Sequence, residues 1–166
     1  SRIDGISKVV VFGLQHVLKK WLIDYFDDNF FKRPKEEVVA EYRRIIKHTA
    51  GDLPSYKHVE ELHDVGYLPL IVKGLPEGEV VNIRIPWFSV TNTNPKFEWL
   101  FSWVVNYLET LLSSESWQSM TSATIAHEYR KIMDHYAKLS GVPAEFVQWQ
   151  GHDFSFRGMS SLETAK

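Results

Sequence analysis

Val11, Leu14, Leu18, Trp21, Leu22 and Tyr25 recur at three- and four-residue steps, so residues 8–26 read as an amphipathic helix with Gln15, Lys19 and Lys20 on its polar side. A second stripe, Val38, Tyr42, Ile45 and Ile46, follows Pro34. Glu36 and Glu37 suit its N-terminal end, and Lys47 with Gly51 closes it. Pro54-Ser55 supplies a cap for a short helix through Val59 and Leu62 that ends before Gly66. From Tyr67 the period drops to two. Leu68, Leu70 and Val72 alternate, Pro76-Glu77-Gly78 turns the chain, and Val81, Ile83 and Ile85 continue beyond it, which predicts a small antiparallel meander over 67–91. Pro86 interrupts the ladder, so 87–90 reads as a separate or edge strand.

Asn94-Pro95 opens a helix with a capping side chain and a proline at its first position. Leu100, Trp103, Val104, Tyr107, Leu108 and Leu111 make that helix apolar over much of its circumference. Ser113–Ser119 reads as a polar break. Ile125, Tyr129, Ile132, Met133, Tyr136 and Leu139 form a further helix, ended by Gly141 and Pro143. Phe146–Trp149 then reads as a strand feeding a polar loop from Gly151, and Ser160, Ser161 and Glu163 as the cap and acidic first turn of a new helix. The pattern predicts an α+β fold, helices packed around a small antiparallel sheet, with roughly half of the residues helical.

With 166 residues, 44% of them hydrophobic, the chain is long and apolar enough for a core. Nineteen basic against 21 acidic residues give a net charge of −2 and no general attraction to nucleic acid or anionic membrane. The absence of cysteine excludes disulfides, thiolate metal sites and thiol nucleophiles, and is compatible with a reducing compartment. The longest apolar run, Trp99–Leu108, is far short of the roughly 20 residues of a membrane helix. The first residues resemble no signal peptide.

Seven histidines suggest metal chemistry, but His58 and His63 diverge on a helix, and His127-Glu128 is followed by Lys131 where a zincin needs histidine. Gly74 and Gly78 lack the Lys-Ser/Thr ending of a phosphate loop. The densest chemistry lies in His152, Asp153, Phe154 and Arg157. From residue type alone, Phe154 reads equally as a plug into the core, and Arg157 as an ion-pair partner of Asp153 or Glu163.

Residues 152–165, His-Asp-Phe-Ser-Phe-Arg-Gly-Met-Ser-Ser-Leu-Glu-Thr-Ala, resemble the signature of the nicotinamide phosphoribosyltransferases, within the wider nicotinate and quinolinate group. Leu75-Pro76-Glu77-Gly78 followed by Thr91-Asn92-Thr93-Asn94-Pro95 resembles the family's hairpin. Trp99–Leu112 with Trp117, Thr121 and Ala123-Thr124 resembles its next helix and turn. The likeness covers the family's amino-terminal third, so both ends read as cuts through a longer protein. It implies that residues 1–150 form an amino-terminal α+β domain and 151–166 the first strand-loop of a following α/β barrel.

That resemblance implies a pentosyltransferase of NAD salvage that makes nicotinamide mononucleotide and pyrophosphate from nicotinamide and phosphoribosyl pyrophosphate, in the cytoplasm. Phe154 would lie against the nicotinamide ring and Arg157 would contact the phosphoribosyl substrate, as an aromatic face and a planar guanidinium suit. His152 and Asp153 would line or orient the site, and Arg2 would reach the phosphates bound by the neighbouring subunit of a homodimer with shared active sites. Mg²⁺ would enter with phosphoribosyl pyrophosphate, held by no residue of this chain, and coupling to ATP would rest on a histidine beyond Lys166. Two alternatives stand beside this: a non-catalytic structural or dimer-forming fragment, and an enzyme whose acceptor is nicotinate.

Overall fold

The computed structural model describes residues 5–159, with the side chains of Phe101, Trp103, Val104 and Ser155 outside the description. Arg2 and the helix start expected at Ser160 and Glu163 therefore lie outside the described residues. The fold is α+β, largely helical with two small two-stranded sheets. The chain divides into two compact units, one built from the segments up to Leu14, Gly74–Phe88 and from Leu108 on, the other from Gln15–Lys73 and Ser89–Tyr107.

In the first unit, β1 (Lys8–Val10) pairs antiparallel with β3 (Val80–Asn82), Val9 opposite Val81. The helix expected over 8–26 is thus wrong at its start. Three consecutive β-branched residues, Val9 to Val11, favour extended backbone, and the helix begins only after Gly13, whose φ of +93° turns the chain. Beyond β1, the Val11 N–H donates to the Glu79 carbonyl at 2.9 Å and the Gly78 N–H to the Val11 carbonyl at 2.8 Å, so the Pro76-Glu77-Gly78 turn is stitched to β1. Val10, Val11, Leu14, Leu108, Leu112 and Val147 are buried.

α4 (Glu98–Ser140) is one helix of 43 residues, so the break expected at Ser113–Ser119 is absent. The hydroxyls there bond back into the helix. Ser114 donates to the Leu111 carbonyl at 3.0 Å, Ser119 to Glu115 at 2.7 Å, Thr121 to Trp117 at 2.7 Å and Thr124 to Met120 at 2.6 Å, and Ser116 bonds the Leu112 carbonyl. Each of these five hydroxyls is satisfied without leaving helical geometry. The strand expected at 146–149 is also corrected: Ala144–Val147 is a helical turn, α5, capped by Pro143, which buries Val147 alone.

The second unit holds α1 (Leu14–Val17) from Gln15 on. α1 continues as wide, π-type turns over Leu18–Asp24 and Asp27–Phe31, with the Lys32 N–H reaching back five residues to the Asp27 carbonyl at 2.8 Å. A run of rings follows: Trp21 lies 5.6 Å from Tyr25, Phe26 6.3 Å from Phe30, and Phe30 5.5 Å from His63. α2 (Lys35–Thr49) and α3 (Lys57–Val65) stand where their stripes predict, α3 ending at Gly66 in the left-handed region. Val38, Ile46, Val59, Leu62, Phe97 and Leu100 are buried in this unit.

β2 (Leu70–Gly74) pairs with β4 (Phe88–Asn92). The single meander expected over 67–91 is therefore two separate pairs. Arg84 turns the chain at φ +68°, Pro86 offers no donor, and β3 takes β1 as its partner instead. After β4, the Asn94 Oδ1 accepts the Lys96 N–H at 3.1 Å and so caps the turn that opens α4.

Candidate functional site

The candidate loop is anchored at its start. Val147 is 2% exposed. The Gln150 N–H donates to the Val147 carbonyl at 3.1 Å, and Gly151 sits so close to α4 that an added Cβ would meet the Met133 Cε at 3.3 Å. A side chain at 151 would require the Met133 methyl to give by a few tenths of an ångström.

Beyond this anchor, Gly151–Phe154 has no regular structure and Ser155–Gly158 forms a 3₁₀ turn, with the Met159 N–H donating to the Phe156 carbonyl at 3.4 Å. Phe154 is the N-cap of that turn and Arg157 its third residue. His152, Asp153, Phe154 and Arg157 are all exposed, Phe154 by 76%. Phe154 is thus no core plug in this structure. Glu163, one of the ion-pair partners the sequence offers Arg157, lies outside the described residues. The loop can offer an aromatic face and a planar cation together to one ligand.

Among the described residues, no three or more His, Asp or Glu side chains gather where a metal ion could be held.

Two features escaped the sequence. Glu77, in the Pro-Glu-Gly turn, accepts the Gly13 N–H on Oε1 at 3.1 Å; its only signal is an acidic residue in a turn whose backbone needs no side-chain cap. The second unit also holds an open cavity of about 330 Å³ between the π-type turns and β2, lined by Leu18, Leu22, Phe31, Leu70 and Val72, with Asp27 its one charged side chain. Neither contributes to the loop.

No family model matches the chain. Over 163 residues, 98% of its length, the chain is 46% identical to the nicotinamide phosphoribosyltransferase of Acinetobacter baylyi, of which it covers 32%. Over 168 residues it is 35% identical to the protein of that name from Xanthomonas campestris pv. campestris, covering 33% of it. It is 30% identical over 144 residues to the one from Mycoplasma genitalium, covering 28%. The chain spans about a third of the length of the curated relatives it matches. Over that third, it is a homologue of proteins named nicotinamide phosphoribosyltransferase.

Proposed function

We propose that the chain is part of a nicotinamide phosphoribosyltransferase, a cytoplasmic homodimer in NAD biosynthesis that joins nicotinamide to the phosphoribosyl group of phosphoribosyl pyrophosphate. The observation that carries this reading is the 46% identity, over nearly the whole chain, to a protein of that name. The exposed Phe154 and Arg157, three residues apart in one loop, agree with it.

In this reading the pyridine nitrogen attacks C1′ of the ribose as the bond from C1′ to the pyrophosphate oxygen breaks, and the electron pair leaves with pyrophosphate. The chain's share is positioning, since holding two reactants in line removes much of the entropic barrier. Phe154 offers its face to the neutral pyridine ring. The Arg157 guanidinium holds phosphate oxygens by paired N–H bonds and offsets their charge. His152 and Asp153 flank the ring clamp and orient it, and Arg2 reaches the phosphates in the neighbouring subunit. The segment from Gly151 on leads into an α/β barrel whose remaining parts complete the site. Mg²⁺ would accompany phosphoribosyl pyrophosphate in the full-length enzyme and would be held by groups other than the described residues.

The 166-residue chain by itself is accordingly inactive. Nicotinamide mononucleotide should form from the two substrates when the gene's full-length product is supplied, and not with the chain alone. A full-length product that fails to make it under conditions where it is folded would overturn the proposal.

A further inference from the structure

Between the end of α4 and residue 150 the backbone is tied at each bend. The Val142 N–H donates to the Ala137 carbonyl at 3.0 Å. Around α5, the N–H groups of Phe146, Trp149 and Gln150 donate to the carbonyls of Pro143, Phe146 and Val147 at 3.0, 3.1 and 3.1 Å. Val147 is buried, so this short excursion is fastened to its unit.

The chain then comes back to α4. The point where a Cβ on Gly151 would stand is 3.3 Å from the Met133 Cε and 3.8 Å from its Sδ. Apart from the chain neighbours, no other atom of the described residues comes within 4 Å of that point. At Gly158, the second glycine of the loop, the equivalent point meets none of them. His152, Asp153, Phe154 and Arg157, which lie between the two glycines, are exposed. The root of the loop is therefore set against one half-buried side chain, that of Met133.

A methionine suits that place. Unbranched, with three rotatable bonds and a polarisable sulfur, it fills an irregular gap and carries its terminal methyl up to a backbone that has no side chain of its own. The backbone of Gly151 lies outside the left-handed region, so no unusual torsion fixes the root in place of this contact.

We infer that Met133 is a positioning residue for the loop from Gly151 to Gly158: its thioether sets where the chain leaves α4 and, through Gly151, the placement of Phe154 and Arg157. The inference rests on the reading of that loop as the substrate site, and it gives Met133 a kinetic signature of its own. Phe154 serves the nicotinamide and Arg157 the phosphoribosyl pyrophosphate. A loop set loose at its root weakens the hold on both substrates together, whereas loss of Phe154 alone is felt by nicotinamide.

The test compares three variants of the full-length product. Met133→Ala removes the contact, Met133→Val keeps a branched hydrocarbon on the helix but falls short of Gly151, and Met133→Leu keeps most of the volume. Hydrogen–deuterium exchange of the peptide covering 150–158 is read without substrates, and steady-state kinetics with both. The alanine and valine variants should exchange roughly fivefold or more faster in that peptide, with β1 unchanged, because only the loop is released. They should also raise the KM for each substrate by about tenfold, since a misplacement of about 1 Å costs on the order of a hundredfold in rate. Leucine, a volume-conserving exchange, should stay within about threefold of the parent in both readouts. Loop exchange equal to the parent's in the alanine and valine variants would overturn the inference. So would a KM for either substrate that stays at the parent's value, whatever happens to Tm. The exchange readout needs no catalysis, so a folded parent that makes no nicotinamide mononucleotide would sink the enzymatic reading while exchange still decides whether Met133 sets the loop.

Discussion

The Glu77 carboxylate accepts the backbone N–H of Gly13 at 3.1 Å, across 64 residues of sequence, and so fastens the turn after β2 to the point where β1 gives way to helix. Gly13 has a reason to be glycine: its φ is +93°, and a Cβ there would lie 3.2 Å from the Ser119 Cβ. A hydrogen bond to a charged group contributes about 1.5–3 kcal/mol, less where it is partly exposed. Glu77→Ala should lower stability by about 1–2 kcal/mol, and Glu77→Gln, which keeps an acceptor oxygen, by less than half of that. Gly13→Ala should cost about 1–2 kcal/mol through the left-handed backbone. Urea midpoints for the purified chain measure all three; a Glu77→Ala midpoint equal to that of the parent would mean that the clasp contributes nothing.

The serine-rich middle of α4 makes an opposite prediction. Ser114 is exposed and bonds only its own helix, to the Leu111 carbonyl. Ser114→Ala should therefore stabilise the chain by about 0.5 kcal/mol, the difference in helix propensity. Were residues 113–119 a loop instead, alanine would bring no gain, and the amides there would exchange rapidly with deuterium.

His58 makes stability depend on pH. Burial holds its imidazole below the ordinary histidine value, against a smaller upward pull from Glu61, and its ring stands edge-on to Trp99 at 4.7 Å and to Tyr42 at 6.0 Å. With the folded value depressed, the unfolded chain binds the proton more readily, so stability falls as pH drops through the unfolded value of about 6.5. The contribution is fully present above that value. Urea midpoints of the parent at pH 7.5 and 5.5 should differ by more than those of His58→Gln, and an equal drop in the two proteins would show that His58 is not the group responsible.

The fold was legible where one chemical rule governed a segment. α2 and α3 follow from stripes bounded by Pro34 and by Gly66, and the start of α4 follows from Asn94-Pro95. It was misread where rules compete. Val9–Val11 fit a helical stripe and a strand equally, and only pairing with β3 decides between them. The serines of α4 signal a loop unless their hydroxyls turn back to the helix. Phe146–Trp149 has the composition of a strand, yet one helical turn suffices to bury Val147. For the loop, the residue types suggested a ligand site; that Arg157 stands on a 3₁₀ turn with Phe154 as its N-cap needed the backbone.

Arg157 should act on the phosphate substrate. In the full-length product, Arg157→Ala is expected to lower kcat and raise the KM for phosphoribosyl pyrophosphate together, and Arg157→Lys to restore only part, because a point charge lacks the planar fork. A lowered Tm with unchanged kinetic constants would make Arg157 a structural residue only.

The most direct test of the ring clamp, and with it of the proposed chemistry, is the steady-state rate of nicotinamide mononucleotide formation by full-length Phe154→Ala against the parent. Loss of a stacked ring and its buried area predicts a rise of about tenfold or more in the KM for nicotinamide, with the KM for phosphoribosyl pyrophosphate nearly unchanged and Phe154→Tyr close to the parent. A Phe154→Ala enzyme with the parent's nicotinamide KM would contradict the account.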